Sequence, residues 1–466
     1  MTFAVLLPTG PSLRNFGLGG FLPKLSEHGD VKVWHNVQGG ELRHLASGAG
    51  ISLERLSPPT ENPAASLLRC AMGYAHLFYG RTIAMRQRLR KRPQGRLPER
   101  VKHRIARSIG RIAANSLGVR LLEASHRWTA TRAPEVAAFQ RLFEQWRPSV
   151  VFAADQRPLE LLGPILAARQ LGIPTAGFIF SWDNLTSKGR MAAAFDYYLV
   201  WSAKMRDDLL RLYTGISGSN VHIVGTPQFD SYSDHGLLWS RAEFFERIGG
   251  DPDRQLICYS GGDTTSCPED PQHLEVLLDL VAAGKIPQDT QVLLRPTPVD
   301  AGTRFDAVRR RYPGLLYSRP QWLHNGRAGW MHVVPSAEDI QFLANLTYHA
   351  DVNVNVASTM TLDFAIRNKP VVNVAFDVAS TPPYGMPLWH WHYQKEHYRP
   401  IVEFGAAKIA KSPAELAMYV NESLRRPCDG AEARRRLVDF ELGVPVGEST
   451  GRIVEVLTRI ANGVRL

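Results

Sequence analysis

Apolar runs along the chain alternate with amphipathic stretches, and this pattern predicts strands followed by helices. The chain starts with the apolar run "FAVLL", a loop with Gly17, Gly19 and Gly20, a helix, and a second strand, "VKVWH". Short apolar runs bounded by glycine and proline are typical of buried strands. We therefore predict a Rossmann-like start in which Gly19 lies in a turn that a ligand approaches. A plain structural loop is an equal alternative.

The same alternation continues in two series. Helices and strands repeat up to about residue 230, and a second series begins near Gln255 with "QLICYSGG". Strands that alternate with helices imply a parallel sheet covered by helices. We predict an α/β fold of two Rossmann-like domains facing across a cleft, with domains at 1–235 and 236–440. The last helix, within 441–466, is expected to cross back to the first domain.

Composition is consistent with a cytoplasmic protein. Of the 466 residues 44% are hydrophobic and 21% charged, and there is neither a membrane-spanning apolar run nor a basic, apolar leader at the start. The four cysteines are far apart and include no C-x-x-C pair. Such spacing favours reduced thiols over disulfides or zinc ligation.

The net charge of +11 is concentrated in one segment. Between Arg69 and Arg132, 16 Lys and Arg stand against two acids, a local balance of +14 that leaves −3 for the rest of the chain. Arginines alternate there with Ile, Leu and Val at helical spacing, as in amphipathic basic helices. We predict that this segment contacts an anionic membrane surface, ahead of nucleic acid, for which no binding signature is present. A solvated basic face is the alternative.

Glycine and polar residues follow three strands of the second series. They are Gly261, Gly262, Asp263 and Thr264 after "LICYS", Arg295 at the end of "VLLR", and Ser358, Thr359 and Asp363 after "DVNVNV". At the carboxyl ends of strands, helix starts and glycine turns offer N–H groups to phosphate, and a guanidinium clamps a diphosphate. We predict that this set binds a nucleotide donor, with Asp363 on a ribose hydroxyl. The alternative is that Ser358 and Thr359 only cap a helix and Asp363 only pairs with Lys369.

The first series supplies a polar loop, "SWDNLTSKG" at 181–189, directly after an apolar strand. Loops held by a rigid sheet are where reactive groups concentrate. We predict Asp183 as the general base for a hydroxyl, with Trp182, Asn184 and Lys188 close to the acceptor or sugar. The alternative is an Asx turn in which Asp183 and Asn184 only cap the next helix.

A pair of histidines, His390 and His392, lies among aromatic residues in "LWHWHYQ". An H-x-H pair can ligate zinc, but no nearby cysteine or well-spaced carboxylate completes a site. We assign both histidines to acceptor or sugar binding. The protein is therefore expected to use no metal and no cofactor.

Taken in order, these motifs resemble the GT-B glycosyltransferase superfamily. Within it they resemble the CDP-glycerol glycerophosphotransferase (teichoic acid polymerase) type and related enzymes of bacterial surface-polysaccharide synthesis. The matching stretches are "SWDNLTSKG", "FDYYLVWSAKM" at 195–205, "GTPQFD" at 225–230, "LRPTP" at 294–298 and "ASTMTLDFAIRNKPVV" at 357–372. The resemblance implies donor binding by Arg295, Ser358, Thr359 and Asp363, with Asp183 as base.

Two departures from the family pattern fall on the reacting centre. The histidine of the family's W-H-G loop is replaced by Asp183, and the histidine of its R-x-H-P element by Thr297. A carboxylate base suits attack of a hydroxyl on an anomeric carbon. The resemblance thus implies a metal-independent, inverting glycosyltransferase that moves a sugar from a nucleotide sugar to a lipid-linked or cell-surface glycan. Two alternatives remain, namely transfer of glycerophosphate from a CDP-alditol and a non-catalytic protein that binds nucleotide sugars, glycans or nucleic acid.

Overall fold

The computed structural model describes residues 1–36, 51–93, 95–324, 329–330 and 333–464. The chain forms two compact units, one made of Met1–Gln228 together with Glu441–Leu466 and the other of Phe229–Phe440. Each unit contains a parallel sheet with flanking helices. The fold class predicted from the sequence, α/β with two Rossmann-like domains, is confirmed.

The sheet of the first unit has seven strands in the described part of the chain. They are β1 (Thr2–Leu7), β2 (Asp30–His35), β3 (Ser52–Arg55), β4 (Val150–Ala153), β5 (Thr175–Phe178), β6 (Tyr197–Val200) and β7 (Val221–Ile223). Their order is β3-β2-β1-β4-β5-β6-β7, and all neighbours are parallel. The strand order reverses between β1 and β4, which is where the carboxyl edge of an open sheet offers a crevice.

Short helices connect these strands and cover the sheet. They are α1 (Gly10–Phe16), α2 (Phe21–Ser26), α3 (Pro63–Gly80), α4 (Ile83–Arg90), α5 (Leu97–Ile112), α6 (Ser116–Ala130), α7 (Pro134–Trp146), α8 (Leu162–Gln170), α9 (Asn184–Ser187) and α10 (Ala203–Leu212). Local sequence fixes several of their starts. Thr9 and Ser12 form a reciprocal capping box at α1, in which each backbone N–H donates to the other residue's hydroxyl.

The second unit repeats this architecture. Its strands are β8 (Leu256–Ser260), β9 (Gln291–Arg295), β10 (Leu316–Tyr317), β11 (Leu323–His324), β12 (Val333–Val334), β13 (Val352–Asn355), β14 (Val371–Val374) and β15 (Lys408–Ala410). Six of them form a parallel sheet in the order β10-β9-β8-β13-β14-β15, while β11 and β12 pair antiparallel. The central strands are buried throughout, as expected of a sheet covered on both faces.

The remaining helices follow in chain order. They are α11 (Arg241–Ile248), α12 (Asp270–Ala282), α13 (Asp306–Arg311), α14 (Ala337–His349), α15 (Met360–Ile366), α16 (Arg399–Phe404), α17 (Pro413–Arg425), α18 (Ala431–Leu442) and α19 (Ser449–Ala461). The last of them packs against α2 and β4 of the first unit. It buries Ile453, Val454, Leu457 and Ile460, which recur at helical spacing along one face.

The basic segment forms helices α3 to α6, in which α3 packs against α5 and α6. Because α5 and α6 use one face for this packing, their opposite faces leave large apolar side chains exposed. These are Leu97, Val101, Ile105 and Ile112 on α5 and Leu117, Leu121 and Trp128 on α6. Among the residues that the structure describes, no helix is long and apolar enough to cross a membrane.

Candidate functional site

Two loops meet at the carboxyl edge of the first sheet. Strands β4 and β5 are parallel neighbours, so the residues after Ala153 and after Phe178 lie side by side. The Gln156 side chain joins the two loops, because its Oε1 accepts the backbone N–H of Phe180 at 2.9 Å. The predicted Asp183 loop is therefore held against the end of β4.

Asp183 stands at the N-cap position of α9, yet its side chain makes no capping hydrogen bond. Instead, Oδ1 accepts the Ser181 hydroxyl at 2.7 Å and Oδ2 accepts the Ser187 hydroxyl at 2.6 Å. The Lys188 ammonium lies 3.5 Å from the same Oδ2. The carboxylate is thus oriented by two hydroxyls and one cation, an arrangement suited to a fixed anion.

The other predicted acceptor residues differ in their exposure to solvent and in their position. Trp182 and Asn184 are buried, so the Trp182 ring does not offer an open stacking face, whereas Lys188 is partly exposed. Gly19 is exposed but lies between α1 and α2, separated from β1 by a whole helix. The backbone that directly follows β1 instead carries Thr9, which caps α1.

Asp155, which the sequence analysis did not single out, follows β4 at the point where the strand order reverses. The residue is only 8% exposed, and burial raises the pKa of its carboxyl to about 6, although Oδ1 accepts the Arg157 N–H at 2.9 Å. A carboxyl that titrates near neutral pH can both donate and accept a proton. The available signal was an acid placed directly after the buried run "SVVFAA".

The basic segment contributes to this same edge. Thr82, the N-cap of α4, donates its hydroxyl to the Thr186 carbonyl at 2.5 Å and so ties α4 to the Asp183 loop. Two charges at this edge affect the pKa of Arg88 on α4. Burial lowers the pKa of Arg88, Arg157 lowers it further, and Asp183 raises it. Part of the segment thus shapes the environment of Asp183, a role that its composition did not indicate.

Three predicted donor positions converge in the second unit. Strands β9, β8 and β13 are adjacent and parallel, so Arg295, Gly261 and Ser358 lie along one carboxyl edge. The Gly261 N–H donates to the Arg295 carbonyl at 2.9 Å. The residues at or just after the ends of these three strands therefore lie on a common edge, as expected for a parallel sheet.

The turn after β8 is closed by its own hydrogen bonds. The Gly262 N–H, expected to face a phosphate, donates to the buried Asp270 carboxylate at 2.5 Å. Asp263 accepts N–H and hydroxyl groups of Thr265 and Ser266, while Thr264 is exposed. The amides of Gly261 and Gly262 are thus already used within the protein.

Arg295 is buried and makes an ion pair. Its Nη2 lies 2.9 and 3.0 Å from the two oxygens of Asp339, a carboxylate that also accepts the Trp322 indole N–H at 2.7 Å. Asp339 has its pKa lowered even though burial alone would raise it, because Arg295 and these donors outweigh the burial. The guanidinium is therefore positioned by Asp339, and its Nη1 has no partner in the described part of the chain.

The turn from β13 into α15 rests on a buried network of asparagines. Asn355 accepts the Ser358 N–H at 2.8 Å and an Asn373 N–H at 3.0 Å, and it donates to Asn353 Oδ1 at 2.6 Å. Thr359 is the N-cap of α15 without a side-chain capping bond, and it is exposed. The network thus holds the start of this turn through the Ser358 N–H, while the Thr359 side chain is exposed.

Asp363 accepts a hydrogen bond from a tyrosine that the sequence analysis did not consider. It is 3% exposed and accepts the Tyr232 hydroxyl at 2.5 Å. Tyr232 lies 131 residues away along the chain, so no local pattern could identify it as the partner.

The two histidines of the H-x-H pair differ in their surroundings. His392 is buried, its Nε2 lies 3.0 Å from the Ser266 carbonyl, and burial lowers its pKa well below the usual range. His390 is exposed. Within the described ranges no cluster of three or more His, Cys, Asp or Glu could hold a metal ion.

Comparisons with known proteins bear on the fold. Neither a scan of protein families nor a search of curated proteins finds a match to this chain. Among solved structures, the chain is similar to the UDP-GlcNAc 2-epimerase from Neisseria meningitidis bound to UDP-GlcNAc, with 10% identity and a TM-score of 0.55 over 98% of this chain and 100% of that one.

Two further structures show the same likeness. A putative UDP-N-acetylglucosamine 2-epimerase from Listeria monocytogenes gives 11% identity and a TM-score of 0.56, over 99% of this chain and 97% of that one. A glycosyltransferase from Rickettsia africae gives 10% identity and a TM-score of 0.53, over 98% of each chain. At such identities the likeness establishes the fold, and the chain has an α/β fold of the GT-B type.

Proposed function

We propose that the protein is a glycosyltransferase that binds a nucleotide sugar through its second unit and transfers the sugar to a hydroxyl. The observation that carries the proposal is Asp183, a carboxylate at the carboxyl edge of the first sheet that two hydroxyls and Lys188 hold in one orientation. An oriented carboxylate can remove the proton of an attacking hydroxyl. The reaction would be a single, inverting displacement without a metal.

The donor side of the proposal rests on the carboxyl edge of the second sheet. Solved structures of this fold include one with UDP-GlcNAc bound, so uridine diphosphate sugars are the first donors to test. Ser358 and Thr359 stand at a turn there that Asn355 holds by a hydrogen bond, and they are the proposed phosphate contacts. Because the amides of Gly261 and Gly262 are used internally, we assign these glycines to close packing of the turn.

The experiment combines binding with turnover. In a thermal-shift screen, UDP and UDP-sugars should raise the melting temperature, because a ligand that binds only the folded state stabilises it. Asp183→Asn should abolish transfer, at least about a hundredfold, and leave the thermal shift with UDP unchanged. The matched control is Asp207→Asn, an exposed aspartate of the same unit. Full activity in Asp183→Asn would remove Asp183 from the mechanism.

A second candidate, epimerisation of a nucleotide sugar, is favoured by Asp155. Inverting a C–H centre needs one group to remove a proton and another to return it, and Asp155 titrates near neutral pH on the same edge as Asp183. Incubation with UDP-GlcNAc in D₂O distinguishes the first two candidates, because deuterium in an intact nucleotide sugar indicates epimerisation and release of UDP in the presence of an acceptor indicates sugar transfer. A separate incubation with a CDP-alditol tests glycerophosphate transfer, which would release CMP.

For the acceptor we propose a lipid-linked or cell-surface glycan, reached from a membrane surface. The exposed faces of α5 and α6 combine arginines with apolar side chains. Among the apolar side chains, Ile112 is 83% exposed and Leu117 is 66% exposed. Such faces favour the boundary of an anionic bilayer, where apolar groups enter the lipid and cations meet headgroups. Peripheral contact with the membrane would bring the enzyme to a lipid-linked substrate.

A further inference from the structure

The second unit has a pocket of about 820 Å³ on the opposite edge of its sheet from the proposed donor site. His349 ends α14 just before β13 begins, and Lys369 precedes β14 by two residues, so both lie at the amino edge. The lining includes Trp239, Arg241, Tyr348, His349, Arg367 and Lys369. This volume falls within the range of small-ligand sites.

The lining carries three permanent cations and no carboxylate. Asp351 is the acid that contributes to the charge of this region, and it is already engaged. Its Oδ2 accepts the Leu256 N–H at 2.8 Å and lies 3.9 Å from Arg241 Nη2. One carboxylate therefore offsets only part of the positive charge around the pocket.

The three cations differ in how far the protein already uses them. The Arg241 guanidinium donates to the carbonyls of Pro252, His349 and Arg254 at 2.6 to 3.0 Å, so its position is fixed. Arg367 has two guanidinium nitrogens, Nε and Nη2, without a hydrogen-bond partner among the described residues. Lys369 has Asp351 as a nearby opposite charge, a carboxylate that it shares with Arg241. Arg367 therefore keeps donor capacity that the protein itself does not use, and Lys369 has only a shared counter-charge.

The pKa values of these groups show that the positive charges act on one another. Burial lowers the pKa of Lys369 and outweighs the opposing effect of Asp351, and Arg241 and Arg367 lower it further. The pKa of His349 is lowered first by burial and then by Arg241, Lys369 and Arg367, although its hydrogen bond to the Trp239 carbonyl opposes this. Partly buried cations that repel each other are unfavourable unless an anion compensates them.

Aromatic rings provide the side walls. The Arg367 guanidinium lies 5.5 Å from the centre of the Tyr348 ring, and Arg247 covers Trp239 at 4.2 Å. Tyr348 is 45% exposed, so part of its ring is open to a ligand. The lining of the pocket thus combines cationic and aromatic side chains.

We propose that this pocket binds a small anion with two or more phosphate groups, held by Arg367 and Lys369 and flanked by Tyr348 and Trp239. A guanidinium presents paired N–H groups that match phosphate oxygens, and an ammonium adds a point charge beside it. Several cations around one pocket require a ligand with more than one negative charge. The site is separate from the proposed donor site, and the inference does not depend on what the donor site binds.

The test titrates the full chain with inorganic pyrophosphate by calorimetry at low salt. Arg367→Gln combined with Lys369→Gln should weaken pyrophosphate binding at least tenfold. Lys285→Gln with Arg426→Gln removes two exposed cations of the same unit and should leave the affinity unchanged. Equal affinity in the two double variants, or no binding to the unchanged protein, would overturn the proposal.

A thermal readout keeps the test valid if calorimetric heats are small. Without anion, the Arg367→Gln and Lys369→Gln variant should melt no lower than the unchanged protein, because it loses repelling charges. Pyrophosphate should raise the melting temperature of the unchanged protein and of the control but not of this variant. If the double variant proves poorly folded, Lys369→Gln alone serves as the test. An undiminished rise in melting temperature with pyrophosphate in that variant would count against the site.

Discussion

Asp155 and Asp183 follow neighbouring strands, yet their surroundings differ in kind. Asp155 is buried with Arg157 beside it and has its pKa raised to about 6, while Asp183 accepts two hydroxyls and faces Lys188. Two carboxyls in different environments can take different roles, one as a proton donor and one as a base. We expect Asp183 to act as the base and Asp155 to hold a proton at mildly acidic pH.

The raised pKa of Asp155 predicts how stability depends on pH. The folded state keeps this proton up to about pH 6, whereas an unfolded aspartate loses it near 3.8. Between these values the folded state binds more protons, so the contribution of Asp155 to the free energy of unfolding falls as pH rises. Relative to Asp155→Asn, the unchanged protein should lose about 2 kcal/mol between pH 4 and pH 6, measured by urea unfolding.

The comparison with Asp155→Asn isolates this carboxyl, because other titrating groups contribute equally to both proteins. Asparagine still offers an oxygen to the Arg157 N–H. Asp207→Asn, on the exposed face of α10, should run parallel to the unchanged protein. Parallel curves for Asp155→Asn as well would mean that the Asp155 carboxyl ionises normally.

At the scale of elements, the strand–helix–strand unit at 353–377 is the best example of sequence and structure agreeing. The sequence predicted strand, short helix and strand there, and the structure has β13, α15 and β14. The sequence did not indicate why asparagines occur in buried strands. Asn353, Asn355 and Asn373 are fully buried and bond to one another, to Thr361 and to the turn before α15.

Asn355→Ala should therefore destabilise the second unit. The substitution leaves the Ser358 N–H and one Asn373 N–H without their acceptor. An unsatisfied buried polar group costs about 1–3 kcal/mol, so we expect a loss of roughly 2 kcal/mol or more in the free energy of unfolding. Because the Ser358 turn loosens, UDP binding should also weaken, measured by calorimetry under conditions where the variant is folded.

Asn421→Ala is the matched control. Asn421 donates to the Lys285 carbonyl in an exposed setting, where water can replace the lost hydrogen bond. Its change in stability should stay within about 0.5 kcal/mol, as for most surface positions. Similar losses in the two variants would show that the asparagine network has no special structural importance.

At the scale of the whole molecule, the uneven charge predicts behaviour at a membrane. The full chain should sediment with vesicles that contain anionic lipid and dissociate at high salt, because the attraction between exposed charges is screened. Ile112→Glu with Leu117→Glu should reduce binding at least tenfold, since both side chains are largely exposed on α5 and α6. Sedimentation with vesicles of defined composition measures this directly.

Met418→Glu with Tyr348→Glu tests whether the effect is specific to these helices. Both control side chains are 45% exposed but lie in the second unit. The control should bind vesicles like the unchanged protein. Vesicle binding that does not depend on salt, or no affinity for anionic vesicles, would contradict membrane contact. It would favour the alternative that α5 and α6 form a solvated basic face.

The sequence by itself determined the α/β class, the two series of strands and helices, and which residues follow adjacent strands. These features arise from local periodicity, and parallel strands bring their carboxyl ends to one edge without further information. That is why Arg295, Gly261 and Ser358 could be placed on one edge from sequence alone. The resemblance to a particular family, beyond the fold itself, stays a prediction. The roles of the site residues also stay predictions.

Tertiary structure decided which groups face each other. Arg295 pairs with Asp339, and Asp363 pairs with Tyr232. The charges of Arg88 and Asp183 act on each other although the two residues lie far apart in the chain. Burial gave Asp155 its raised pKa, and the amino-edge pocket brought together cations from two separate segments. Hydrogen bonds, desolvation and charge interactions depend on distance in space, which local sequence patterns do not encode.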